Sequence, residues 1–215
     1  VVDIEKTTPK KVVRIWNGVD TELYRPLTTT HRPLTIGTVA RLSPEKDQQT
    51  MIRAFRLVAD SIPESKLIFA GDGACENDLR LLTKELDLTE NVVFLGMRSD
   101  INSVLHMFDI FTLSSTTEGL SMTVIEAMAS GLPVVATDVG GNRELVNPPE
   151  CGLLAPPSNP AALAEAYLTL LRDRDLRERM GIDARRRAVA NFSVRQMVTE
   201  YQELYQELLT QHDLC

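Results

Sequence analysis

Glu118-Gly-Leu-Ser-Met-Thr-Val-Ile-Glu126 sets two carboxylates eight positions apart, across a glycine-containing turn that reads as running into a helix. Ala127-Met-Ala-Ser-Gly131 continues that helix, and Leu132-Pro-Val-Val-Ala-Thr137 reads as a buried strand. A helix N-terminus offers free N–H groups and the positive end of a dipole to an anion. Amides near Met122, Thr123 and Val124 would supply them, with Ser121 or Thr123 as the cap. A carboxylate on either side extends this into a receptor for hydroxyls, an anion and hydroxyls in sequence. A nucleotide sugar has that shape.

Cations to balance such a ligand stand in Arg41-Leu-Ser-Pro-Glu-Lys46, five positions apart around a Ser-Pro turn. A forked guanidinium and a point-charge ammonium suit a diphosphate. A plain surface loop with ordinary salt bridges is the alternative. Gly71-Asp-Gly73 allows close backbone approach to a ligand or simply makes a turn. In Gly96-Met-Arg-Ser-Asp100, Arg98 can lie flat on a nucleobase, while Ser99 or Asp100 caps the next helix.

These loops need a scaffold. Strands are expected at Val12–Trp16, Leu34–Ala40, Lys66–Ala70, Val92–Leu95, Ile110–Leu113 and Pro133–Ala136. Helices are expected between them at Asp47–Asp60, Cys75–Leu86, Ile101–Met107 and Met122–Ser130. Such alternation gives an α/β fold with a Rossmann-like, doubly wound parallel sheet, whose ligands bind at the carboxyl ends of the strands. Past the turn-rich 156–160, Ala161–Arg172 and Leu176–Ala190 read as helices. A C-terminal helical tail follows, with Met197, Tyr201, Leu204, Tyr205 and Leu208 on one face.

The chain has 215 residues, 43% hydrophobic and 25% charged, the composition of an ordinary globular domain. A net charge of −7 argues against nucleic-acid binding. No run approaches the roughly 20 apolar residues that span a bilayer. Cys75, Cys151 and Cys215, with His31, His106 and His212, show no metal or redox spacing, and fit a reducing cytoplasm. Asp173-Arg-Asp175 reads as a solvated helix start rather than a metal pair, Arg185-Arg-Arg187 as a solvated helix face rather than a membrane patch, and His106 as structural. The opening Val1-Val-Asp-Ile, without Met, is expected of a piece of a longer protein.

From about Lys11 to Leu209 the sequence resembles the nucleotide-sugar-dependent glycosyltransferases of the GT-B class, family 4. The motifs are Ile15-Trp-Asn-Gly-Val-Asp20, Arg41 with Lys46, Gly71-Asp-Gly73, Phe94-Leu-Gly96, Glu118 with Glu126, and Ala127 through Gly141 with Glu144. The resemblance implies the C-terminal, donor-binding half of a retaining enzyme, one of two Rossmann-like domains. Residues 1–32 would be a linker and first strand, 33–190 the donor domain and 191–215 a helix crossing back to the absent acceptor domain. Arg41 and Lys46 would grip the diphosphate as a leaving group, without metal or cofactor. Arg98 and neighbouring backbone would meet the base, and Glu126 the ribose. Glu118 would orient the sugar, beside backbone around Gly119, Leu120 and Ser121, while amides near Met122, Thr123 and Val124 would hold the distal phosphate. Many relatives have an aromatic residue at Leu120 and Gly or Pro at Ser121, departures that bear on which sugar is used.

The resemblance further implies a UDP- or GDP-sugar donor and a polysaccharide or lipid-linked acceptor, in the cytoplasm or at the inner membrane face. On its own, this chain would bind nucleotide weakly and transfer no sugar. A nucleotide-binding module, an epimerase or a sugar phosphorylase of similar fold are the alternatives. Peripheral membrane contact and pairing of two copies through the last helix stay open.

Overall fold

The computed structural model describes residues 12–27 and 34–212. Six strands form one parallel sheet: β1 (Thr35–Val39), β2 (Lys66–Ala70), β3 (Val92–Phe94), β4 (Ile110–Leu113), β5 (Val134–Thr137) and β6 (Gly152–Ala155). Their order is β3-β2-β1-β4-β5-β6, the Rossmann arrangement, with its topological switch point between β1 and β4.

The helices are α1 (Gln48–Ser61), α2 (Glu76–Glu85), α3 (Ile101–Leu105), α4 (Met122–Ala129), α5 (Asn142–Val146), α6 (Pro160–Arg172), α7 (Arg174–Asn191) and α8 (Val194–His212). Period-two alternation along the strands feeds two cores. Leu67 and Phe69 of β2 face one core with α1, α2 and α6, while Ile68 and Ala70 face the other with α4 and α7. β5 does the same with Val135 against Val134 and Ala136. Both faces are covered, which is why the strands read as unbroken apolar runs rather than as alternation with polar residues.

Two expectations of the sequence are revised. Val12–Trp16 forms no strand; both sheet edges lie elsewhere, and Val12 and Val13 are exposed. This segment is held instead by Trp16, edge-on to Phe192 at 5.7 Å, and by Val19, which bridges Ser193 in parallel. Gly18 is required there, since a Cβ would meet the Ser193 backbone at 2.6 Å. Strand β6 and helix α5 were not expected; they are four and five residues long, and prolines flank β6 on both sides.

The arginine run at 185–187 is neither a solvated face nor a free basic patch. Arg185 Nη1 donates to the carbonyls of Thr21, Tyr24 and Ala129 at 2.7–2.8 Å, fixing the segment before β1 onto α4 and α7. Arg187 donates to the carbonyls of Glu144 and Leu145 at the end of α5, and only Arg186 stays on the surface, paired with Asp183. Asp173 caps α7 through the Leu176 amide, as a helix start should, and His106 Nε2 meets the Arg25 carbonyl.

Candidate functional site

The loops after β1 and β4 flank the switch point, and the residues with chemical potential are on them. After β1 the chain makes a 3-10 turn at Pro44–Lys46, then enters α1 through Asp47 in a left-handed conformation. Ser114, at the end of β4, fastens this loop by donating to the carbonyls of Lys46 and Asp47 at 2.8 and 2.9 Å. The Thr116 amide adds a bond to the Glu45 carbonyl at 2.9 Å. From the other side, the Leu42 amide bonds the Asp72 carbonyl and the Cys75 amide bonds the Leu42 carbonyl. Gly71-Asp-Gly73 is thereby a packing element: a Cβ on Gly73 would lie 2.3 Å from the Leu42 carbonyl oxygen.

This bracing brings Lys46 onto Glu118, with Nζ 2.5 Å from Oε1. Ser115 Oγ donates to the same oxygen at 2.6 Å. Behind it, Thr137 Oγ1 donates to the Ser115 carbonyl at 2.6 Å, and Asn142 Nδ2 to the Thr137 carbonyl at 3.0 Å. Ser115, Thr137 and Asn142 are fully buried, so Glu118 ends a rigid polar chain spanning the tips of β4 and β5. Their role escaped the sequence reading. Its only trace was small polar residues where apolar strands end, a pattern that turns share.

The Arg41 carbonyl accepts from Gln48 Nε2 at 2.8 Å, while its exposed guanidinium has no ion pair or hydrogen bond among the described residues. It lies near enough to help Lys46 hold the Glu45 carboxyl below its ordinary range, although the Ser43 hydroxyl is the main cause.

Glu118 and Gly119 are clamped from beyond β5. Gly140, at φ 50°, passes so close that a Cβ would lie 1.8 Å from the Glu118 carbonyl oxygen, and the Gly141 amide bonds the Gly119 carbonyl at 3.2 Å. A Cβ on Gly119 itself would meet nothing within 4 Å. Leu120 and Met122 pack partly against the core, leaving backbone rather than side chain as their contribution to the loop surface.

Ser121 occupies the N-cap position of α4, but neither it nor Thr123 caps the helix as expected; the two hydroxyls lie 3.2 Å from each other. The first-turn amides of Met122, Thr123 and Val124 therefore keep no side-chain cap. Glu126 sits in the next turn, half-buried, beside the Tyr24 hydroxyl. Burial pushes Glu126 above the usual carboxylate range, with the Tyr24 hydroxyl pulling the other way. Tyr24 is pushed up to about 12 by burial and by the Glu126 charge. Nothing in the sequence tied Tyr24 to Glu126; the Arg185 tether brings it there.

Arg98 stands apart, after edge strand β3. Asp100 grips its guanidinium through two hydrogen bonds at 2.6 and 2.8 Å, which also explains why Asp100 makes no cap bond to α3. The Gly71 amide bonds the Gly96 carbonyl at 2.8 Å and joins this loop to the one after β2.

Residues 20–187 match the model of the family described as "Glycosyl transferases group 1". The chain belongs to that family. Among its relatives, EpsD of Bacillus subtilis is 32% identical over 87% of this chain and 52% of its own length. The N-acetylgalactosamine-N,N'-diacetylbacillosaminyl-diphospho-undecaprenol 4-alpha-N-acetylgalactosaminyltransferase of Campylobacter jejuni is also 32% identical, over 85% of this chain and 50% of its own. The chain thus spans about half the length of these group 1 relatives. Anabaena HepE in complex with UDP superposes with a TM-score of 0.80 at 29% identity, covering 91% of this chain and 57% of that one. The C-terminal domain of the group 1 protein LpcC from Francisella tularensis shares the fold at 24% identity and a TM-score of 0.76, over 82% of this chain and 100% of that domain. Group 1 membership favours sugar transfer over the epimerase and phosphorylase alternatives.

Proposed function

We propose that the chain is the donor-binding half of a retaining glycosyltransferase of GT-B family 4, using a nucleotide-diphosphate sugar, with a UDP- or GDP-sugar as the expected donor. The observation that carries this reading is the convergence at the switch point. An ammonium and a carboxylate meet there from the loops after β1 and β4, and an uncapped helix N-terminus follows on the second loop. Arg41 and Lys46 take the diphosphate and stabilise it as it leaves, and the amides of Met122, Thr123 and Val124 hold the distal phosphate. Glu126 accepts from the ribose hydroxyls. Glu118 orients the sugar beside the open backbone of Gly119, Leu120 and Ser121. Arg98, held by two hydrogen bonds to Asp100, offers its guanidinium face to the base. Charge on the leaving group is balanced by side chains and helix dipole, so the step as proposed needs no metal or cofactor. The departing phosphate helps to remove the acceptor proton as transfer proceeds on the front face of the sugar.

The acceptor is expected to be a growing polysaccharide or a lipid-linked glycan, as the names of the Campylobacter relative and of an Escherichia coli galactosyltransferase suggest for those proteins. Residues 33–190 would form the donor domain, with α8 returning to an acceptor domain that this chain does not include. The full-length enzyme would work in the cytoplasm, at the inner face of a membrane where the acceptor is lipid-linked. None of the described helices is long and apolar enough to cross a membrane.

A thermal-shift panel of UDP, GDP, ADP and dTDP sugars tests the site. Saturation with the correct donor should stabilise the chain by about 3–4 kcal/mol at 100–1,000 times the dissociation constant. Arg41→Ala and Glu126→Ala should each weaken binding about tenfold or more, the worth of a charge-assisted hydrogen bond. Variants responding like the wild type would place the site elsewhere.

A further inference from the structure

Lys46, assigned to the diphosphate, and Glu118, assigned to the sugar, are bonded to each other in the unliganded chain. The pair is shielded, with side-chain exposures of 23% and 8%. Its two donors, the ammonium and the Ser115 hydroxyl, converge on one oxygen, Oε1, at 2.5 and 2.6 Å. Arg41, the other cation, is exposed and has no such partner among the described residues. The two cations therefore wait in different states: Arg41 is ready for an incoming phosphate, and Lys46 must first leave a carboxylate.

We infer that the Lys46–Glu118 ion pair makes the site discriminate between a nucleotide-diphosphate sugar and the bare nucleotide diphosphate, and so between substrate and product. The inference rests on the donor-site reading above and adds a coupling between its two halves. When a diphosphate draws Lys46 away, Glu118 is left as a shielded carboxylate held by one neutral hydroxyl, and losing one partner of a shielded charge pair is costly. A bound sugar replaces the ammonium with hydroxyl donors, so Glu118 exchanges one partner for another. A bare diphosphate brings no donor and places more negative charge nearby. Once the sugar has been transferred, Glu118 recovers Lys46, and the diphosphate loses a cation at the moment it should depart.

Calorimetric titration of the 215-residue chain with UDP, UDP-glucose, GDP and GDP-mannose, repeated with Glu118→Gln, reads the coupling directly. Removing this charge frees Lys46 in advance. Glu118→Gln should bind the matching bare diphosphate about tenfold or more tighter than the wild type, the scale of one charge-assisted contact. It should bind the sugar form no tighter, so the preference moves toward the diphosphate. Glu118→Ala should repeat the gain on the diphosphate with a larger loss on the sugar form, which a misfolded chain could not do. Unchanged or weaker diphosphate binding in both variants overturns the coupling while leaving the donor site standing. Wild-type binding that ignores Arg41→Ala overturns the site and the coupling together.

Discussion

Glu126, proposed above as the ribose acceptor, sits where its charge costs stability. It is a half-buried acid beside a tyrosine hydroxyl, and its folded-state pKa is raised, mainly by burial. Below its ordinary value of 4.5 the group is neutral in folded and unfolded chains alike, and its protonated form is tolerated. As pH rises through the higher folded-state value, the folded chain must ionise a desolvated carboxyl, and that stability is lost. Glu126→Gln should therefore melt higher than the wild type near neutral pH, with the gap closing in acid. Nucleotide binding should move oppositely, because ribose hydroxyls need an ionised acceptor. Glu126→Gln should lose most of the discrimination between UDP and 2′-deoxy-UDP, or between the guanosine pair if that is the base. Equal discrimination in both proteins would remove Glu126 from the ribose.

Among the elements, the segment from β5 into α5 holds the site in shape without offering a group to the ligand. Gly140 and Gly141 let its backbone press against Glu118 and Gly119, and Thr137 and Asn142 extend the polar chain behind Ser115. Gly140→Ala adds a methyl at a left-handed position, in collision with the Glu118 carbonyl. It should cost about 1–3 kcal/mol of stability in chemical denaturation and weaken donor binding with it. Gly119→Ala is the control, because its methyl points into open space. Its melting temperature should stay at the wild-type value while sugar-nucleotide affinity falls, if backbone at this position lies against the sugar. A drop in stability equal to that of Gly140→Ala would contradict the geometry.

At the scale of the molecule, the proposed donor site lies at the carboxyl edge of the sheet, and the acceptor domain proposed above would supply the opposite wall of a cleft. Along α8, Val198, Tyr201, Tyr205, Leu208 and Leu209 are exposed, at 41–67%, while Met197 turns inward to accept the Gly18 amide at 3.4 Å. The expected face of this helix is thus divided, with Met197 against the Gly18 segment and the two tyrosines outside. With one wall, the 215-residue chain should bind donor yet release no transferred sugar to any acceptor, measured with radiolabelled UDP- and GDP-sugars. The full-length enzyme should transfer in the presence of excess chelator, because cationic side chains and a helix terminus are proposed to balance the leaving group. Chelator-sensitive transfer would revise that mechanism.

Local pattern determined much of this protein. Five strands of the sheet were legible from apolar β-branched runs, because burial on both faces leaves strands little choice of composition. The loops bearing Arg41, Lys46, Glu118 and Glu126 were legible too, since glycine, proline and charge interrupt those runs at the strand ends. β6 and α5 were not, because Pro148, Pro149, Pro156 and Pro157, with Gly140, Gly141 and Gly152, make that stretch read as turn. Val12–Trp16 had the composition of a strand but lies at the α7–α8 junction, with Trp16 on Phe192, rather than along either sheet edge. Tertiary structure alone decided the long-range partners: Lys46 against Glu118, 72 positions away, and Tyr24 beside Glu126. Ser115 on Glu118 and Asp100 on Arg98 are local pairs, set by the loop conformations after β4 and β3. Burial and periodicity constrain residue types along the chain. Which distant cation or hydroxyl meets a carboxylate depends on how strands far apart in sequence are ordered in the sheet, and only the folded chain holds that information.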